Sequence, residues 1–177
     1  MTTLVVYESM WGNTRTVADA VASGIGGDVD VVAVSEAPVP VPAEVELLVV
    51  GGPTHAFSMS RAATRRDAVA QGAPEPDTQR GLREWLSQLP RREHLDVAAF
   101  DTRVASVRRL PGSAARAAGR EVRRHHLGRM VATSSFYVDD TAGPLLPREV
   151  ERAQAWGREL RARLADDRSR SGRREES

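Results

Sequence analysis

The sequence predicts an α/β domain built on a doubly wound, five-stranded parallel sheet covered on both faces, a three-layer arrangement with strand order 2-1-3-4-5. Three observations carry that expectation. Short apolar runs recur five times, bounded by glycine, proline and polar turn residues. Between them lie stretches whose apolar residues repeat at the helical period instead. A length of 177 residues suits one such domain better than two.

The first run, Thr3–Tyr7 (TLVVY), precedes a turn-rich loop, as a buried parallel strand should. Over Thr14–Ile25 the period changes: Val17, Ala18, Val21, Ala22 and Ile25 share one helical face, and Arg15, Asp19 and Ser23 the other. Gly24, Gly26 and Gly27 read as the end of that helix. Val29–Val34 (VDVVAV) is the second strand, after which Pro38, Pro40 and Pro42 leave room for a short helix at most. Val45–Val50 (VELLVV) is the third, closed by Gly51-Gly52-Pro53. Asp96–Ala105 contains a fourth strand and Met130–Val138 is a fifth. A helix over Thr78–Leu89 is expected to bury Leu82, Trp85, Leu86 and Leu89. After the Pro111-Gly112 turn another opens near Ser113, a good N-cap, and runs to about Leu127. The last starts near Pro147 with the stripe Val150, Ala153, Trp156, Leu160 and Leu164. Gly51–Pro76 is long for a strand–helix connection, and such segments usually carry function. The domain is expected over residues 1–165; the polar tail 166–177 (DDRSRSGRREES) is expected to be disordered.

Composition removes several function classes. There is no cysteine, hence no disulfide, zinc–thiolate site, cysteine-ligated cluster or thiol nucleophile. All 25 basic residues are arginines against 24 acidic ones, a balance unlike that of a dedicated nucleic-acid binder. No apolar run is long enough for a membrane span, and MTTLVVYES reads as a strand rather than a signal peptide, so the expected location is the cytoplasm. His125 and His126 point apart on a helix and lack a second ligand set, so a solvated helix end is expected there and no metal site. The Arg116–Arg124 cluster is read as a solvated helix face, and Trp85 and Trp156 as core.

In an open parallel sheet, ligands bind beyond the carboxyl ends of the strands, at the point where the strand order reverses. The loop Glu8–Thr14 meets that point with the properties of a phosphate cradle. Ser9 and Thr14 offer hydroxyls, Gly12 lets the backbone approach, and Asn13 and Thr14 begin a helix whose dipole and free N–H groups favour an anion. Neither a Gly-Lys-Ser/Thr sequence nor G-x-G-x-x-G occurs in this loop, which speaks against nucleoside triphosphates and dinucleotides.

The stretch Val5-Val6-Tyr7-Glu8-Ser9-Met10-Trp11-Gly12-Asn13-Thr14-Arg15-Thr16-Val17-Ala18 resembles the N-terminal signature of flavodoxins, position by position. Gly51-Gly52-Pro53-Thr54-His55-Ala56-Phe57 resembles the family's loop after the third strand, and Phe100-Asp101-Thr102-Arg103 its loop after the fourth. The resemblance implies a flavodoxin-like fold with flavin mononucleotide (FMN) as cofactor. Ser9, Met10, Trp11, Gly12, Asn13 and Thr14 would surround its phosphate. Pro53, Thr54, His55, Ala56 and Phe57 would lie along the ring, with Phe100, Asp101, Thr102 and Arg103 opposite. Trp11 stands where many flavodoxins have a hydroxyl, which shifts phosphate binding toward backbone N–H groups; it either stacks on the ring or shields the loop. His55 either bonds the flavin or faces solvent, and Arg103 either sets positive charge near the ring or pairs with a carboxylate.

Flavodoxins that act as carriers are typically acidic, which this chain is not, and Ser60–Gln79 is similar in character to the extended loops of flavodoxin-like quinone reductases. The leading expectation is therefore an FMN-dependent electron-transfer protein, monomeric or homodimeric, serving a redox partner protein or a small acceptor such as a quinone. The alternatives are an FMN-dependent NAD(P)H:quinone or nitro-compound reductase and, from another class, a non-flavin interaction module on the same fold.

Overall fold

The computed structural model describes residues 1–74 and 80–175. Strands β1 (Thr2–Tyr7), β2 (Val29–Ala33), β3 (Val45–Pro53), β4 (Asp96–Val104) and β5 (Arg129–Val138) form one sheet in the order β2-β1-β3-β4-β5. Every neighbouring pair is parallel, and Val5, Val31, Val49, Ala98 and Ala132 lie in register across it. The helices are α1 (Asn13–Ile25), α2 (Ala62–Ala70), α3 (Leu82–Gln88), α4 (Ala114–Arg124) and α5 (Glu149–Glu175). The expected topology is thus the observed one.

Two apolar layers sandwich the sheet. On one face Leu48, Val50 and Val97 pack with Trp85, Leu86 and Val122 from α3 and α4. On the other, Val5, Val49 and Phe100 pack with Val17 and Val21 of α1 and with Ala153 and Leu160 of α5. Trp156 completes an edge-to-face trio with Phe100 and Phe136, the centroids 6.1–6.3 Å apart. Between β2 and β3 the proline-bearing connection forms no helix, and arginines take up its carbonyls. Arg80 donates to Val34, Ser35 and Ala37, and Arg92 to Pro42, Ala43 and Val45.

Four details differ from expectation. Gly24 does not end α1. It lies inside the helix where α5 crosses, and a Cβ on it would overlap the Gln154 carbonyl, while one on Gly157 would overlap that of Val21. Helix α2 stands in the segment expected to be a loop. Val150, placed on the buried stripe of α5, is exposed: it lies in the first turn of the helix, while Ala153, Leu160 and Leu164 further along pack in the layer shared with α1. Residues 166–175, expected as a disordered tail, continue α5: once a helix is nucleated each added residue extends it cheaply, and Asp167 ion-pairs with Arg129 at 3.0 Å. The expected helix start at Thr78 lies outside the described residues, and α3 begins at Leu82. Among the described residues no helix is long and apolar enough to cross a membrane.

Candidate functional site

Between β1 and α1 the chain turns through Gly12, whose φ of 84° is accessible to glycine at little cost. Its N–H donates to Ser9 Oγ at 3.0 Å, which leaves the Ser9 hydroxyl proton available to another acceptor. Thr16 Oγ1 closes the turn by donating to the Gly12 carbonyl at 3.1 Å. At the head of α1 no side chain caps the helix, and the N–H groups of Asn13 and Thr14 have no partner among the described residues. The Thr14 hydroxyl is buried and shares a 2.8 Å hydrogen bond with Thr102 Oγ1 at the end of β4. Asn13 Nδ2 donates to the Ala142 carbonyl at 3.1 Å. The first loop is thereby tied to the ends of β4 and β5.

Helix α4 presents a second N-terminus at the same end of the sheet, and this one is sealed. The N–H of Ala114 donates to Thr54 Oγ1 at 2.9 Å, that of Ala115 to Asp101 Oδ2 at 3.0 Å, and that of Arg116 to Ser113 Oγ at 3.3 Å. Of the two helix starts, only α1 is open to an anion.

A cavity of about 240 Å³ lies beyond the strand ends. Met10, Trp11, Asn13 and Thr14 line it from the first loop, Pro53, Thr54, His55 and Ala56 from the end of β3, and Thr102 and Arg103 from β4. Val104, Val138 and Thr141 join them, three positions that no sequence motif marked. Three lining side chains carry buried nitrogens without a partner among the described residues: Trp11 Nε1, His55 Nε2 and Arg103 Nε. Buried donors are nearly always satisfied; Thr3, Arg83 and Asp101 carry unpaired buried atoms elsewhere among the described residues, but three of these orphans belong to residues of this one cavity. Burial holds the His55 imidazole below its ordinary pKa, so the ring is neutral at pH 7.

The other expected residues are placed differently. Ser9 borders a separate hollow above β1 and β2, and Gly12 shapes the loop without lining the cavity. Phe100 points into the core, where Gly51 makes room for its ring; a Cβ at Gly51 would overlap it. Asp101 is fully buried and caps α4; burial raises its pKa, with Ser113, Ala115, Ser135 and Arg103 pulling it back. The reason is that β4 runs on through Val104, so that Phe100 and Asp101 are strand residues facing opposite layers and not loop residues. Phe57 lies outside the cavity, 45% exposed. Arg103 neither pairs with a carboxylate nor leaves its whole head free: Nη2 donates to the carbonyls of Val107 and Leu110.

One group escaped the motifs. Buried Glu8 accepts from Ser60 Oγ and, at 2.8 Å, from the Leu82 N–H; Arg65 of α2 donates to Ser60 at 2.9 Å and pairs with Glu84 at 3.2 Å. Burial raises the Glu8 pKa against the pull of Ser60, Leu82 and Arg65. This cluster docks α2 and α3 against the loop, and Met10 and Trp11 pack on Ala68 and Ala73 beside it.

No protein-family model matches the sequence, and no curated protein sequence does. Solved structures do match. The chain superposes on a flavodoxin from the domain Archaea with TM-score 0.61 at 18% identity, covering 93% of this chain and 99% of that one. A flavodoxin from Streptococcus pneumonia TIGR4 gives 0.59 at 18% identity, with 92% and 99% covered. A flavodoxin, WrbA-like protein from Agrobacterium tumefaciens gives 0.56 at 16%, with 93% and 98% covered. At such identities the likeness shows a common fold.

Proposed function

With the flavodoxin fold as premise, we propose that the chain binds FMN and serves as an electron-transfer protein in the cytoplasm. One observation carries the reading: the open N-terminus of α1 stands at a cavity whose lining residues Trp11, His55 and Arg103 each carry a buried nitrogen with no partner among the described residues, while the neighbouring helix start is sealed. The phosphate would sit on the N–H groups of Asn13 and Thr14, on the side of the turn toward the hollow that Ser9 borders, so that the Ser9 hydroxyl donates to it as well; Trp11, His55 and Arg103 would lie along the ring. The residues present fit the cofactor, and its bound form would supply the redox chemistry.

The protein's own part is positioning. The Thr14–Thr102 hydrogen bond fixes the phosphate loop relative to β4, so one movement cannot shift the first loop without the second. Thr54 spans from the cavity to α4 and holds the β3 turn. His55, neutral, offers a hydrogen bond without adding a charge. None of these side chains has to act as a nucleophile.

Reconstitution tests the reading. FMN should bind at micromolar concentration or tighter, about −8 kcal/mol. Ser9→Ala should weaken FMN by about tenfold, one charge-assisted hydrogen bond, and leave riboflavin nearly unchanged. Equal losses for both would refute the phosphate assignment. Rapid oxidation of NADH or NADPH by the reconstituted chain with a quinone would make it a reductase; a carrier stays inert without a separate reductase.

A further inference from the structure

Beyond Pro53 the chain reverses within His55–Ser58, closed by backbone hydrogen bonds of 2.9 and 3.0 Å. Its central residues, Ala56 and Phe57, have φ of 45° and 64°. Such turns usually place Asn-Gly there, because an L side chain in this region costs about 1–2 kcal/mol per residue. Phe57 recovers little of that through burial. The turn is nonetheless braced. Arg83 donates to Ser58 Oγ at 3.0 Å, and Gly112, at φ 88°, lies so close that a Cβ there would approach the Phe57 carbonyl oxygen to 2.7 Å.

The loop on the far side of Gly112 is fixed from beneath. Buried Arg103 donates to Val107 O at 2.7 Å and to Leu110 O at 3.3 Å. Leu110, 47% exposed, then stands outward with Arg108 and Arg109, whose guanidinium groups have no partner among the described residues. Between Val138 and Thr141 of the cavity wall, Asp139 and Asp140 are exposed. Two large apolar side chains flanked by unpaired arginines have the composition of a protein interface centre. Arginines alone could also receive a nucleotide phosphate; the exposed apolar pair beside them favours a protein, and the backbone N–H groups of Arg108 and Leu110, bonded to Ala105 and Val107, add no phosphate cradle.

We propose that Phe57 and Leu110, with Arg108 and Arg109 beside them, form the docking surface for an acidic protein partner at the cavity mouth. That this partner exchanges electrons rests on the flavin reading; the charge and place of the surface do not. Complementary charge would steer a partner carrying carboxylates around its own exposed group, and Asp139 and Asp140 would set its orientation.

The probe is cytochrome c, in its basic native form and in a succinylated form whose lysines carry carboxylates. Association of each with the full chain, with and without FMN, is measured by titration calorimetry at low ionic strength. The succinylated form should bind at least about tenfold more tightly, and the preference should shrink with added salt. It should be lost in R108E/R109E and retained in R116E/R120E, which reverses two exposed arginines on α4. Leu110→Ser should weaken the succinylated form without restoring the native one. Equal binding of the two cytochromes, or a preference that survives R108E/R109E, overturns the proposal. So does NADPH binding that depends on Arg108 and Arg109 without any cytochrome preference. Loss of flavin binding with the preference intact would remove the redox reading and leave the surface standing.

Discussion

Arg92 reaches the carbonyls of Ala43 and Val45 at 2.7 Å and of Pro42 at 2.9 Å, holding irregular chain at the end of the sheet away from the cavity. A guanidinium can serve several acceptors at once because its five N–H groups form a rigid fork; an ammonium at the same place would satisfy fewer. Arg92→Lys should cost about 2 kcal/mol, a fall of about 4–8 °C in melting temperature, and leave FMN affinity unchanged. At the cavity, His55 makes a different prediction. Burial holds its folded-state pKa below the unfolded value near 6.5, so below that pH the unfolded chain takes up a proton that the folded chain refuses. Its contribution to stability therefore falls as pH drops through 6.5. Glu8 and Asp101 act oppositely, since their raised pKa values let the folded chain hold protons above the usual carboxylate range. The difference between wild type and His55→Gln isolates the histidine. Denaturation midpoints at pH 7.5 and pH 5.0 should show the wild type losing more stability on acidification than the variant. Parallel losses would show that His55 does not titrate differently on folding.

Among the elements, the crossing of α1 and α5 is the most constrained contact. Gly24 and Gly157 let the two backbones touch, and neither carbonyl that a methyl would strike can move without shifting a helix. Gly24→Ala gains about 1 kcal/mol of helix propensity but overpacks the crossing by about 3. A net loss near 2 kcal/mol is expected in chemical denaturation; a stabilised variant would mean that the helices separate freely. Gly24 also shows where sequence reading stops. As one of three glycines near a helix end it looks like a terminator, and only the partner helix reveals its use. The strands, α1 and α4 were legible because their apolar residues repeat at one period, and α4 also because Ser113 is a standard N-cap. Helix α2 was not, because the residues it buries are Arg65 and Ala68, which leave no apolar stripe. The site divides in the same way. Its first loop is a local motif that can be read directly, whereas the directions of Phe100 and Asp101 depend on how far β4 continues, and the Glu8–Ser60–Arg65 cluster joins residues far apart in the chain.

At the scale of the whole molecule, the sheet order brings the ends of β1, β3, β4 and β5 to one cavity, with an open helix start and lining residues that carry unpaired buried nitrogens. The near balance of total charge conceals a local separation, since Arg108 and Arg109 are exposed just after β4 and Asp139 and Asp140 just after β5. The β3 turn carries strain at Ala56 and Phe57, and strain of this kind persists where the surrounding structure over-determines it, commonly at ligand clamps. The most direct test of the account is a fluorescence titration of FMN with the purified chain, run beside riboflavin. A saturable change at one flavin per chain is expected, with FMN binding at least about tenfold more tightly than riboflavin because only FMN carries the phosphate that α1 would receive. Absence of saturable flavin binding at micromolar concentrations, or equal affinity for the two flavins, would contradict it.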